Sequence, residues 1–295
     1  LIKLSIHPLF FFVILLAFLH GFIYDVLLLF AIVLVHECGH AGVAYTYGWR
    51  IKKIELLPFG GVAVVEEHGN KPFKEELLVL LAGPLMNMMM IGIACLFWTL
   101  KLWSTEFCLL FIEYNLIILL FNLLPIWPLD GGKLVQLLLS LFFPYKRAIQ
   151  VSLFVSSIAL IGYILMTALL FPVYFYLWSV AVFLLISLFL EFRQSPYQYL
   201  RFLLSRYHRK GENQKTRNAD SSISGLSHQR KAQPLIIRSQ DTVKESVERL
   251  FKHKKHYFYV TNQRGMLIHM LDEDELLQYY FERKWIHRAV GDVLG

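Results

Sequence analysis

Cysteine is scarce in this 295-residue chain, and charge is scarce over its first two thirds. The three cysteines, Cys38, Cys95 and Cys108, are odd in number, sit in apolar stretches and form no CxxC pair. A disulfide framework is thereby excluded. No small-residue cleavage site follows the first apolar run, Leu9 to Leu19, and the chain is apolar again from Phe22. The run therefore reads as a retained helix and not as a removable signal peptide. No nucleic-acid-binding motif is present. Before Phe192 there are 10 Lys/Arg against 11 Asp/Glu, and from there on 19 against 11, so the net charge of +7 belongs to the tail. A basic tail behind an apolar domain fits the cytoplasmic face of a membrane and its anionic lipid better than it fits nucleic acid.

What fills the first two thirds is long apolar runs, and 56% of the chain is hydrophobic. Six membrane segments are expected, at about 4–20, 22–47, 76–100, 107–124, 151–171 and 173–190, each near the roughly 20 residues that a bilayer requires. Their loops alternate in charge. One side carries Lys3, then Arg50, Lys52, Lys53, Lys71 and Lys74, then Lys146 and Arg147, then the tail, while Lys101 is the one basic residue of the other side. That asymmetry puts both termini in the cytoplasm. The fold class is thus an α-helical polytopic membrane protein, with a membrane domain over 1–191. Residues 192–232 read as an exit helix and polar linker. Residues 233–295 read as a small β-α-β-β-α unit, with strands at Leu235–Ile237, Tyr257–Val260 and Met266–Leu271, and Asp241 or Thr242 capping the first helix. About 60 residues bury too little surface for a robust core, so pairing with a second copy is expected. Residues 49–75 are β-prone around Phe59-Gly60-Gly61. They read either as a hairpin or re-entrant loop at the membrane surface, or as a plain amphipathic connection.

Within the second apolar run stands His36-Glu37-Cys38-Gly39-His40. Imidazoles four residues apart project from one helix face and can share a zinc ion, and Glu37 beside them can act as general base. Such groups are costly in hydrocarbon unless they line a site. His36 lies 14 residues past Phe22, about 21 Å at 1.5 Å per residue, so the site falls past the midplane, toward the cytoplasm. Cys38 points away from His40 on a helix and reads as a small buried hydrophobe. A third ligand is needed. Asp130, the one acid between Glu113 and Glu191, stands in Asn122-Leu123-Leu124-Pro125-Ile126-Trp127-Pro128-Leu129-Asp130-Gly131-Gly132, at the cytoplasmic end of the fourth run. It would complete a His2Asp set with one position left for water; alternatively it only caps the helix that follows. Asn122 is placed to bond the backbone of an extended substrate.

HExxH on one apolar segment and N-x-x-P-x-x-P-L-D-G on a later one resemble the site-2 protease family of intramembrane zinc metalloproteases. Ala82-Gly83-Pro84-Leu85-Met86-Asn87 matches a further motif of that family. Within it, the chain is similar to the sporulation members of endospore-forming bacilli over nearly its whole length, through Leu57-Pro58-Phe59-Gly60-Gly61 and Glu66-Glu67-His68-Gly69-Asn70. The resemblance implies zinc held by His36, His40 and Asp130, with Glu37 passing a proton from water to the leaving amine. It makes Phe59, Gly60, Gly61, Asn122 and Pro128 candidates for holding the substrate extended. It further implies a C-terminal CBS-like domain that pairs into a homo-oligomer, and a sigma-factor precursor as substrate, cut at its N-terminal prosequence. Two inhibitory membrane protein partners and the mother-cell membrane around the forespore complete that expectation. The resemblance also brings ATP as a ligand of the CBS-like domain. Asp272-Glu273-Asp274-Glu275, however, sets an acid where a hydroxyl is expected, which is unfavourable beside phosphates.

Two other classes fit parts of the sequence. A CBS-gated transporter would use the buried His and Asp as an ion path, but the remaining segments are too uniformly apolar to continue one. An inactive scaffold would bind the precursor without cutting it, although every expected catalytic group is present. His7, His20 and His68 read as interface residues. Glu113 and Asn115 read as helix or partner bridges, and Met88 to Met90 as lipid-facing or packing residues and not as a metal site.

Overall fold

A computed structural model describes residues 3–6, 8–49, 51–57, 60–65, 71–217, 233–282 and 285–294. The chain divides into two compact units. One comprises Leu1–Glu67, Pro72–Leu137 and Leu153–Glu191, and the other His68–Lys71, Leu138–Ser152 and Phe192–Gly295.

In the first unit a strand, β1 (Lys3–Ile6), precedes a short helix, α1 (Pro8–Leu19). Helix α2 (Ile23–Thr46) follows, then the hairpin β2 (Ile51–Leu57) and β3 (Gly60–Val65), then helices α3 (Phe73–Thr99) and α4 (Thr105–Asn122). The short helix α5 (Asp130–Phe142) comes next, then α6 (Tyr145–Leu170) and α7 (Phe175–Arg217), both of which run on into the second unit. In lipid a backbone must satisfy its own hydrogen bonds, and an apolar run does so only as a helix. Five helices are long and apolar enough to cross a membrane: α2, α3, α4, α6 and α7 as far as Tyr207. The first expected segment, 4–20, differs. Lys3–Ile6 pairs in parallel with Lys53–Leu56, and the helix begins only at Pro8, whose missing N–H suits a first turn. At 12 residues, α1 is about 18 Å long. The β-prone loop is an antiparallel hairpin, with Leu57 opposite Gly60 and Leu56 opposite Gly61; Pro58 and Phe59 lie outside the described residues. Ser104 caps α4 by accepting from the Phe107 N–H, and Glu75 and Glu76 favour the α3 N-terminus. Leu85, Met88, Ile117, Leu165 and Leu169 point outward, as expected of helices whose surroundings are hydrocarbon. Cys38 also faces outward and is exposed, not buried, because it sits on the face of α2 opposite the two histidines.

The second unit holds a three-stranded sheet, β4 (Gln233–Arg238), β5 (His256–Thr261) and β6 (Leu267–Asp272), in that spatial order. The first pair is parallel and the second antiparallel. Helix α8 (Val243–Glu248) is the crossover, α9 (Glu273–Phe281) follows β6, and α10 (Val290–Leu294) closes the segment. Thr242 is the N-cap of α8, in a reciprocal capping box with Glu245. Ile237, Val247, Phe258, Val260, Leu271 and Leu276 form the core. This module does not rely on its own residues alone. Phe202 and Leu203 of α7 are fully buried in the same unit, Tyr199 donates to the Val247 carbonyl at 3.1 Å, and the Tyr145 N–H donates to the Leu250 carbonyl at 2.9 Å. Arg206 donates to the carbonyls of Phe251, Lys252 and Lys254 and pairs with the buried Glu273. Part of the missing core is thus supplied from within the chain.

Candidate metal centre

His36 and His40 lie one turn apart on α2, with ring centroids 4.8 Å apart and planes at 79°. Asp130, the first residue of α5, meets them from the other side. Its Oδ2 is 3.1 Å from His36 Nε2 and 2.8 Å from His40 Nε2, and the two Nε2 atoms are 3.2 Å apart. All three side chains are buried.

Hydrogen bonds outside this triangle decide which ring nitrogens carry protons. His40 Nδ1 is 2.7 Å from the Val79 carbonyl, which can only accept, so Nδ1 holds the hydrogen. His36 Nδ1 is 2.8 Å from Asn87 Oδ1. The Asn87 orientation follows from its other contact, because Nδ2 donates to the Asn115 carbonyl at 3.1 Å and the amide cannot be reversed. In their neutral form both imidazoles would then present bare Nε2 lone pairs, and a carboxylate oxygen completes the group. Three acceptors aimed at one point repel one another unless a cation lies between them. Donors about 2.0–2.1 Å from a tetrahedral zinc would stand about 3.3 Å apart, close to what is seen. The donor set, its geometry and the outer hydrogen bonds all fit that ion.

Two glycines make the arrangement possible. A Cβ on Gly83 of α3 would run into both His36 Nε2 and His40 Nε2, so a hydrogen there keeps the metal side of the imidazoles open. A Cβ on Gly131 would collide with the Leu123 and Leu124 carbonyls, so glycine lets the 123–129 turn fold back over the start of α5. That turn is held by bonds from Ile126 N to Leu124 O and from Leu129 N to Ile126 O, at 2.7 and 2.9 Å. The second oxygen of Asp130, Oδ1, is 3.3 Å from Lys133 Nζ, which leaves Oδ2 to the histidines.

Glu37 is half-buried beside the triangle, within electrostatic range of His36, His40, Asp130 and Lys133. Asn122 ends α4 and spends one amide hydrogen on the Ile118 carbonyl, 3.1 Å away. Pro128 is half-buried in the turn before Asp130. Gly60 and Gly61 open β3, which lies against α2, and Phe59 is outside the described residues. Sequence reasoning gave no role to Asn87, Gly83 or Lys133. The available signal for Asn87 was an amide deep in an apolar helix, a placement that demands partners.

Known proteins resemble this chain in sequence and in fold. The sequence profile of peptidase family M50 matches residues 24–105 and 90–169. The stage IV sporulation protein FB of Bacillus subtilis is 36% identical over 294 residues, which is 100% of this chain and 96% of that protein. A zinc metalloprotease of Methanocaldococcus jannaschii is 36% identical over 140 residues, covering 46% of this chain and 40% of its own length. Among solved structures, the site-2 protease from Methanocaldococcus jannaschii superimposes with a TM-score of 0.50 at 26% identity, over 64% of this chain and 89% of that one.

Proposed function

The chain belongs to peptidase family M50, the site-2 type of intramembrane zinc metalloprotease, and on that premise we propose that His36, His40 and Asp130 hold one zinc ion while Glu37 serves as general base. The observation that carries this reading is the convergence of three metal-ligating atoms, with the Nδ1 of each imidazole already engaged by a partner outside the group. A zinc ion held there would supply Lewis acidity, able to polarise the scissile carbonyl and to acidify a water molecule. Glu37 takes the proton from that water and returns it to the leaving amine nitrogen. Asn87 and the Val79 carbonyl hold the imidazoles in the tautomer that leaves Nε2 free, and Lys133 steadies the Asp130 carboxylate.

The substrate must be extended where it is cut, because a helix hides its carbonyls in its own hydrogen bonds. Asn122, Pro128 and the Phe59-Gly60-Gly61 turn are the residues proposed to hold it so, the turn by offering strand edge to a peptide. Six crossings are proposed with both termini in the cytoplasm, the first being the stretch that contains α1. Residues 1–191 are the protease domain, 192–232 the exit helix and linker, and 233–295 a CBS-like module that regulates or docks substrate and pairs with a second copy. Nucleotide binding is not assigned to that module, since the Glu273 carboxylate is bound to Arg206 and to the His256 N–H.

Likeness to a sporulation protein over the whole chain supports a substrate of that process. The proposed reaction removes the N-terminal prosequence of a sigma-factor precursor at the mother-cell membrane around the forespore, under restraint by inhibitory membrane partners. Co-expression of the precursor with the parent and with Glu37→Gln tests this. Cleavage by the parent alone is expected. Cleavage by both would remove Glu37 from the chemistry. Cleavage by neither, with stoichiometric zinc in both, would leave the metal site standing and overturn the substrate.

A further inference from the structure

The module of residues 233–295 carries three lysines in one short loop, Lys252, Lys254 and Lys255, and this loop packs by the first turn of α6. In α6, Val151 to Leu170 runs 20 residues without a charge, about 30 Å and the thickness of the hydrocarbon core. Tyr145 lies six residues before that run and Arg147 four, about 9 and 6 Å beyond its edge, within reach of the headgroup layer, which adds about 5–7 Å on each side. Three contacts tie the loop to this level. The Tyr145 N–H donates to the Leu250 carbonyl at 2.9 Å, Lys146 pairs with Glu248, and Lys252 Nζ lies 5.5 Å from the Tyr145 ring centroid.

Basic residues outnumber acids around this loop. Arg206 draws the carbonyls of Phe251, Lys252 and Lys254 inward at 2.8, 2.7 and 2.9 Å, so the loop turns its peptide oxygens to the interior. Of the neighbouring acids, Glu248 pairs with Lys146 and Glu273 with Arg206, while Asp272 caps α9 by accepting from the Glu273 N–H and lies within electrostatic range of Lys255. Arg147 and Lys255 are exposed, and Lys254 lies along the Phe251 ring at 5.2 Å. We propose that Arg147, Lys252, Lys254 and Lys255 form a collar that binds the phosphate headgroups of anionic lipid in the cytoplasmic leaflet, seating the C-terminal module on the bilayer. This rests on the reading that α6 crosses the membrane with Tyr145 at the cytoplasmic end. Basic residues at an anionic surface gain enough to shift an equilibrium about fivefold each, an effect that salt screens.

The test uses the full-length protein in nanodiscs of phosphatidylcholine alone and of phosphatidylcholine with 30 mol% phosphatidylglycerol. Acylation of each lysine by a water-soluble ester is followed by peptide mass mapping, with the exposed Lys244 as reference. Lys252, Lys254 and Lys255 are expected to react about fivefold more slowly in the anionic discs, and the difference is expected to vanish in 0.5 M salt. The double substitution Lys254→Gln/Lys255→Gln should remove the lipid-dependent protection of Lys252. Equal rates in the two lipids would overturn the proposal. So would protection by millimolar inorganic phosphate in neutral discs, which would mark a free-anion site, or protection that needs added substrate protein, which would mark a docking surface. A lipid-soluble carbene probe gives the separate control. Labelling of 151–170 sustains the membrane reading whatever the lysines do, and its absence would remove the depth on which the collar depends.

Discussion

Replacing Asn87 with alanine strips a hydrogen bond from His36 Nδ1 and another from the Asn115 carbonyl, at a position that is fully buried. Leaving such groups unpaired costs about 1–3 kcal/mol. Because the bond to Nδ1 also selects the ring tautomer, zinc affinity is expected to fall about 10–100-fold, as read by competition with a chromogenic chelator. The result to set beside it is Gly83→Ala. In a helix alanine is favoured over glycine by about 1 kcal/mol, so the substitution strengthens α3 as a helix while driving a methyl into both Nε2 positions. Purified Gly83→Ala protein is expected to keep its helical circular dichroism and to contain almost no zinc. Normal zinc content would show that the imidazoles turn away from Gly83 in the working site. Of these residues, the grouping of His36, His40 and Asp130 was legible in the sequence, because such side chains are rare in apolar runs. Gly83 was not, since a glycine beside a proline in a helix has many ordinary explanations, and its use here depends on which helix passes in front of it.

Among the elements, α7 does the least expected work. Read as a membrane segment ending near residue 190, it runs without a break to Arg217, and its later part carries Phe202, Leu203 and Arg206 into the C-terminal module. Arg206 holds three carbonyls and the carboxylate of Glu273 together. Removing one partner of a buried ion pair costs about 3–5 kcal/mol, so Arg206→Ala is expected to speed hydrogen exchange in residues 250–261 while leaving zinc stoichiometry unchanged. A loss of zinc instead would mean that the module and the metal site are not energetically separate. The capped helix α8 and the three strands around it were legible from alternation and from Thr242, since those signals are local. The parallel pairing of β1 with β2 was not, because Lys3–Ile6 abuts an apolar run and only a partner 50 residues away makes it a strand.

At the scale of the molecule, acid should act first on the C-terminal module. Burial and the neighbouring Lys252 push His253 down to about 4, and burial alone would raise the Glu273 carboxyl, but its bond with His256 and the Arg206 charge outweigh that and hold it below its usual value. Both groups have folded values below their unfolded ones. The stability each contributes is therefore full above the unfolded value and is lost as pH falls toward the folded one, from about 6.5 for the histidine and from about 4.3 for the glutamate. Thermal melts of the full chain in detergent are expected to show the module loosening progressively from pH 6.5 down to below 4; a melt indifferent to pH over that range would contradict the assignment. The metal site has a different dependence, on assembly. One amide, Asn87, receives a bond from α2 and gives one to α4 while belonging to α3. Until those three helices have met, His36 is free to take either tautomer and has no fixed direction. A newly inserted chain thus has no competent hydrolytic centre to turn on its neighbours, and the act of folding itself serves as the safety catch on the protease.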